Sequence, residues 1–393
     1  MDPHKDKISL LRNRNLYIIF GITLVAIQGV SSITPALPRM SETFALTPQQ
    51  IGWLITIFTL PGVFLTPVLG VVADRFGRKR ILVPALFLFA LGGLACALSK
   101  TWNTLLFFRF IQGMGAASLG SLNVTLLGDL FSGKERTRAM GYNASVLSVG
   151  TATYPLIGGA LALLGWNYPF FLAFLGFPIG IVILYALNNP EPQDHVALAE
   201  YLLQTWKRVK SFPVLTLFLS SAMTFILLYG AFLTFFPILL AKKFSLNSFY
   251  IGLVFSSMSL STALTSSQVG RLLERFDEKK LFRISFFIYA IALCLIPLIN
   301  SPFLMVGPTI IFGVAQGLNI PNQQSLLASF APLQHRGAVL SINGMVLRLG
   351  QTLGPLLMGG IFTLWYLPGV YYVSALLAIL LFVYLSFALT KFS

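Results

Sequence analysis

Two charged side chains, Arg109 and Arg348, fall deep inside apolar stretches of this 393-residue chain. A charge in such a stretch is costly and is retained when it faces a partner or a water-filled cavity. All 12 acidic residues lie outside those stretches or at their ends: Asp2, Asp6, Glu42, Asp74, Asp129, Glu135, Glu191, Asp194, Glu200, Glu274, Asp277 and Glu278. His4, His195 and His335 are likewise outside. No carboxylate is therefore placed to carry a proton, or to pair with a cation, at the middle of an apolar stretch. A charged cavity here is positive, which favours neutral, zwitterionic or anionic amphiphiles over permanent cations. Proton coupling would have to use Asp74, Asp129, Glu42 or a group near Arg109.

Uncharged polar residues form a second set. Gln316, Asn319 and Gln323 are spaced by three, four and seven, which puts them on one helical face. Asn322 lies beside them and Pro321 bends the helix. Amides in hydrocarbon face a cavity or a neighbouring helix, and we expect this face to line a substrate cavity. Gln28, Gln112, Asn123, Asn143, Asn343 and Gln351 are further candidates. Tyr229, Phe232, Phe235 and Phe236 make an aromatic patch that packs against lipid or helices, or suits flat apolar substrates. There is no phosphate-cradling loop, metal-ligand spacing or nucleophile–base pair, so an enzyme, a metal and a cofactor are not expected. Cys96 and Cys294 lie in apolar stretches as small filler.

The elements that position these residues follow from composition. The chain is 56% hydrophobic and 10% charged, where a soluble domain carries about 25% charge. A membrane-crossing helix needs about 20 mostly apolar residues, and the chain has room for twelve: 16–37, 50–73, 81–98, 104–127, 139–164, 168–187, 213–240, 250–272, 281–299, 302–327, 338–365 and 368–389. The fold expected is an all-α integral membrane protein, with Pro35 and Pro38 breaking span 1 at its outer end. Arg109 lies about two turns from one end of span 4, and Arg348 about 15–18 Å along span 11 from its Ala338 end at 1.5 Å per residue.

The net charge of +15 does not indicate nucleic acid, because its placement is one-sided. Of 27 Lys and Arg, only Arg39, Lys100, Lys242 and Lys243 fall on one face, with Arg109 and Arg348 inside spans and the rest on the other face. Positive residues concentrate on the cytoplasmic side. Both termini are thus expected to be cytoplasmic, the N-terminal stretch being a charged tail rather than a cleaved signal.

The hairpin GVVADRFGRKR, Gly70 to Arg80, joins spans 2 and 3, and GRLLERFDEKK, Gly270 to Lys280, joins spans 8 and 9. Gly70, Arg75, Phe76 and Lys79 recur as Gly270, Arg275, Phe276 and Lys279, each 200 positions on. Arg136, Asn143, Gly150 and Pro155 recur as Arg336, Asn343, Gly350 and Pro355 at the same shift, and Gln112-Gly113 as Gln316-Gly317. Six spans per repeat means that both repeats start on the same side. Substrate then binds between the halves near the midplane. The expected division is 1–187, a six-helix bundle; 188–211, a cytoplasmic linker with an amphipathic helix over Leu198 to Val209; and 212–393, a second bundle. Asp74, Arg78 and Arg336 are expected to form a latch, the carboxylate facing the positive N-terminal end of span 11.

Two parallel six-helix repeats with this hairpin resemble the major facilitator superfamily over essentially the whole chain. Gly70, Asp74, Arg75, Gly77, Arg78 and Lys79 fall where that family has its loop 2–3 motif. Arg109, Gln112, Gly113 and Gly115 resemble a span-4 signature associated with proton-coupled drug exporters. Gly150, Pro155, Gly158 and Gly159 fit part of a span-5 antiporter motif, but Tyr154 stands where a glycine is usual. The segment Gly350, Gly354, Pro355, Gly359, Gly360 is closer to that motif. The resemblance implies a monomeric secondary transporter exchanging amphipathic small molecules for protons by alternating access, and the short loops suit a bacterial inner membrane. The alternative is a carrier of one organic anion or metabolite with Arg109 and Arg348 as the anion site.

Overall fold

The computed structural model describes residue 10 and residues 12–187, 211–330 and 336–391, with the backbone alone at 71, 74, 134, 336–338, 341 and 391. The expected linker helix, at 188–210, lies outside the described residues.

The twelve spans are helical. They are α1 (Arg14–Thr43), α2 (Pro48–Phe76), α3 (Arg78–Ala97), α4 (Trp102–Leu130), α5 (Gly133–Leu164) and α6 (Tyr168–Ala186) in the first half. In the second they are α7 (Phe212–Phe244), α8 (Ser248–Leu273), α9 (Glu278–Leu298), α10 (Val306–Phe330), α11 (336–364) and α12 (367–388). The last two are joined without a loop, and the chain breaks helical geometry only at Trp365 and Tyr366, where Tyr366 has φ 55°. That break falls between the expected ends of spans 11 and 12.

Several boundaries differ from the expectation. Pro35 and Pro38 do not end α1. The helix tightens to a 3₁₀ turn at Thr34–Ala36 and resumes over Leu37–Thr43. Each proline sits in the first turn of its piece, where no N–H is required. The loop expected at 128–138 is largely absent, because α5 starts at Gly133 and takes Glu135 into its first turn. A carboxylate there complements the helix dipole. Thr47 and Thr101 cap α2 and α4 through capping boxes, and Asn247 caps α8, so short loops suffice between spans.

Residues of the face opposite the hairpins use their few cations as helix caps. Arg39 donates to the Ala162 carbonyl near the end of α5. Lys243 Nζ reaches the Pro297 and Ile299 carbonyls at 3.1 and 2.6 Å, at the end of α9. Cations at helix C-termini satisfy orphan carbonyls and oppose the dipole. On the basic face Arg14 does the same for Ala186 at the end of α6.

The apolar core is arranged asymmetrically. Toward the opposite face one cluster crosses between the halves, packing Leu37, Met40 and Leu54 with Phe232, Phe236 and Ile251. Toward the basic face the first half has its own cluster of Leu16, Ile19, Leu82 and Leu126.

Candidate functional site

Helices α2, α5, α8 and α11 carry the contact between halves. Gln49 Nε2 donates to Thr363 Oγ1 at 2.6 Å, Thr56 Oγ1 donates to the Thr352 carbonyl at 3.2 Å, and the Thr59 and Thr352 hydroxyls are 2.9 Å apart. These bonds run from the opposite-face end of α2 to its middle. On the other side α5 and α8 meet backbone to backbone. A Cβ on Gly159 would lie 2.3 Å from the Ser248 carbonyl oxygen, and one on Gly252 would lie 2.2 Å from that of Pro155. Small residues permit this approach.

Nearer the basic face the same four helices separate. At Gly70 in α2, Gly141 in α5, Gly270 in α8 and Gly344 in α11, a Cβ would have no described atom within 4 Å. The halves thus touch toward the opposite face and, at these four positions, leave an opening between them toward the basic face.

Arg348 stands at the closed end of that opening. It is half-buried, and its Nη1 donates to Gln351 Oε1 at 3.1 Å. Gly62 of α2 makes room for it: a Cβ there would lie 3.1 Å from Arg348 Cδ and 3.2 Å from Nε. Tyr229 is half-buried and packs against the apolar clusters of both halves. Its ring is 5.9 Å from that of Phe225. Tyr229 belongs to a π-helical stretch, Leu227–Phe235, in the middle of α7, where the Thr234 hydroxyl donates to the Tyr229 carbonyl at 2.7 Å. A π segment of this length is rare and re-aims the side chains it carries.

Arg109 is built differently. It is fully buried within the first bundle. Its Nη1 donates to the Gly29 carbonyl at 3.1 Å and to Gln112 Oε1 at 2.8 Å, and its Nε to the Leu54 carbonyl at 3.3 Å. The guanidinium lies 4.0 Å over the Phe58 ring, a cation–π contact. Arg109 therefore ties α4 to α1 and α2 and does not share a site with Arg348. Among the described residues neither arginine is ion-paired to a carboxylate.

The amides expected around a cavity are mostly inside the bundles. Asn123 Nδ2 donates to Thr23 Oγ1 at 2.5 Å, and Thr23 Oγ1 donates to Asn143 Oδ1 at 2.5 Å. This joins α4, α1 and α5. In the second half Gln323 Nε2 donates to Ser221 Oγ at 2.5 Å, and Ser221 Oγ donates to Asn343 Oδ1 at 2.6 Å. This joins α10, α7 and α11. The two clamps are repeat-related: Asn123 and Asn143 recur as Gln323 and Asn343. Asn319 bonds Ser285 of α9 and Thr224 of α7, at 2.9 and 3.1 Å, and Gln316 accepts from Tyr289 at 2.7 Å. Gln28 and Gln112 lie together against Ser32 and Phe170, and neither polar atom of Gln28 has a hydrogen-bond partner among the described residues. Asn143 and Tyr229 remain half-buried at the boundary. Periodicity identifies a polar face but does not distinguish a cavity from a neighbouring helix. The hydroxyls of Thr23 and Ser221 were missed because a lone hydroxyl in a span carries no pattern. The 200-residue repeat of their amide partners was the available signal.

At the basic hairpin, Gly77 ends α2 and starts α3 with φ 96°, a conformation other residues rarely adopt. Arg78 is buried and paired with Asp129 of α4. Arg75 is exposed, beside the Phe76 ring. Lys79 is half-buried in the first turn of α3. The side chains of Asp74 and Arg336, the other members of the expected latch, lie outside those described.

Comparison with known proteins agrees with this arrangement. The family model described as Major Facilitator Superfamily matches residues 19–247 and 218–392. The chain is 26% identical to "Multidrug resistance protein 2" of Bacillus subtilis (strain 168), over 91% of each chain. It is 25% identical to the "Bacillibactin exporter" of the same organism, over 87% of this chain and 88% of that one. Among solved structures, a bacterial homologue of the human lysosomal transporter Spinster, inward-facing and unoccupied, superposes with a TM-score of 0.76 at 16% identity, covering 99% of this chain and 96% of the other.

Proposed function

The chain belongs to the Major Facilitator Superfamily and is a membrane transporter, not an enzyme, and from that premise we propose that it is a proton-coupled exporter of amphipathic small molecules. The observation that carries the reading is the one-sided contact between the halves, made by α2–α11 and α5–α8 at the opposite face and, among the described residues, not made at Gly70, Gly141, Gly270 and Gly344 toward the basic face. A substrate site open to one side at a time, between repeat-related halves, is the geometry of alternating access. The positive-inside asymmetry makes the basic face cytoplasmic, so this conformation loads from inside a bacterial cell. Relatives named for multidrug resistance and for export support the direction.

In the alternate state α2 and α11 converge at the basic face. Asp74, Arg78 and Arg336 then form the latch, with Asp74 at the positive end of α11. In the present conformation Arg78 is held by Asp129. Asp74 and Asp129 are the acids placed to pass protons, since none lies in the span interiors. The chain acts as a monomer in the lipid bilayer.

The test is transport by the purified chain in sealed proteoliposomes with an imposed pH gradient. The reading requires accumulation of an amphipathic dye against its own gradient, abolished by a protonophore. Accumulation that persists at equal pH and zero potential would remove proton coupling. Asp74→Asn is expected to cut the rate at least tenfold while leaving insertion intact.

A further inference from the structure

Both intramembrane arginines were retained against a high cost, yet the fold treats them in opposite ways. Arg109 is sealed: three hydrogen bonds and a ring face satisfy it, and no part reaches the surface. Arg348 is left open. A guanidinium has five N–H donors, and among the described residues one hydrogen bond, to Gln351, engages it. It is half-buried at the closed end of the cavity, with Gly62 rather than a side chain facing it across the half boundary. Among the described residues no acid pairs with it, and none of the 12 acids of the chain lies in a span interior.

We propose that Arg348 is the substrate-binding cation of the cavity and that the substrates are organic anions with a flat aromatic body. The inference rests on the exporter reading above and names its substrate class. Arg348 takes the anionic group, a carboxylate or sulfonate, through the donors that Gln351 leaves free. A planar guanidinium matches such groups in a two-point geometry that lysine lacks. Gln351 fixes the guanidinium from one side. Tyr229 and Phe225, adjacent rings on α7, offer an aromatic wall toward α11, where Phe225 packs at Gly350, two residues from Arg348, and Tyr229 packs against the apolar clusters of both halves. Gly62 lets α2 pack directly on the Arg348 side chain, which holds the guanidinium in place at the boundary between the halves. The ligand's charge is thus met where α2, α7 and α11 converge, and both halves feel whether the site is filled.

The test uses the full chain in lipid nanodiscs and proteoliposomes, with three probes: 2-naphthoate, its neutral amide, and the cation rhodamine 6G. Binding of 2-naphthoate is expected to weaken at least tenfold in Arg348→Gln, the size of losing a charged hydrogen-bonding partner. The naphthamide should bind both proteins alike. Arg348→Lys should recover only part of the loss, and Gly62→Val, which crowds Arg348 Cδ and Nε, should weaken naphthoate binding by displacing the guanidinium. Size-exclusion profiles and thermal unfolding of each variant separate lost binding from lost folding. Equal naphthoate affinity in wild type and a folded Arg348→Gln overturns the proposal. So does tight binding of rhodamine 6G that Arg348→Gln leaves unchanged, although pH-driven movement of that dye would keep the exporter reading. Naphthoate binding that depends on Arg348, without any pH-driven transport, supports the site and overturns proton-coupled export.

Discussion

Deleting one hydroxyl in each half should expose how the bundles are clamped. Thr23→Val keeps the shape of the side chain and removes the oxygen that joins α1, α4 and α5. Asn123 Nδ2, buried to 3% exposure, then loses the partner it holds at 2.5 Å. Asn143 is half-buried and can turn to water. An unsatisfied buried donor costs about 1–3 kcal/mol, while side-chain hydrogen bonds between membrane helices average about 0.6 and reach about 1.7 kcal/mol. The Ile19 carbonyl, 3.1 Å away, also competes for the Thr23 proton, which lowers the share carried by Asn143. We expect a loss of about 1–2 kcal/mol. Ser221→Ala should cost less, about 0.5–1 kcal/mol, because Gln323 keeps its bond to the Leu217 carbonyl at 3.0 Å. The assay is reversible SDS unfolding of the purified chain, with a double-mutant cycle of Thr23→Val and Asn123→Ala. A coupling of about 1 kcal/mol is expected. Additivity within about 0.3 kcal/mol would refute the clamp as an energetic unit.

Three other outcomes follow from the same geometry. Arg109→Gln should lower stability by roughly 2–3 kcal/mol, since the Gly29 and Leu54 carbonyls lose charged donors, and thermal unfolding should show it even for a variant that still inserts. Gly159→Ala places a methyl group where the Ser248 oxygen stands at 2.3 Å. It should wedge α5 from α8, and thiol labelling from the opposite face at cavity-lining cysteines should rise; unchanged labelling would contradict the contact. Gly77→Ala, at φ 96°, should cost about 1–2 kcal/mol and reduce the folded yield, measured as the monodisperse fraction after extraction.

The sequence carried the fold because membrane helices obey strong rules. Long apolar runs, the one-sided placement of Lys and Arg, and the hairpins at Gly70 and Gly270 located the spans and the repeat. The break at Trp365–Tyr366 fell where span 11 was expected to end, between Gly360 and Pro368. The prolines at 35 and 38 misled, because a proline in the first turn of a helix is harmless and only its surroundings tell that case from a break. The amides of α10 misled for a different reason. Gln316, Asn319 and Gln323 share a face, as spacing required, but that face meets α7 and α9. Which helix neighbours which is a tertiary fact that one helix's periodicity does not contain. The contrast between Arg109 and Arg348 was equally invisible, since both read as lone charges in apolar spans. The π-helical stretch of α7 left no trace in residue types.

The central claim is that the halves exchange access by parting at the face where they now touch. Gln49 and Thr363 are hydrogen-bonded across α2 and α11 at that face. With Cys96 and Cys294 replaced by alanine, Gln49→Cys and Thr363→Cys can be joined by a short bifunctional thiol reagent with a cleavable bond. The account predicts that the joined chain still binds substrate from the basic face but transports none, and that cleaving the reagent restores the rate. Transport at the unjoined rate while the link is intact would contradict it.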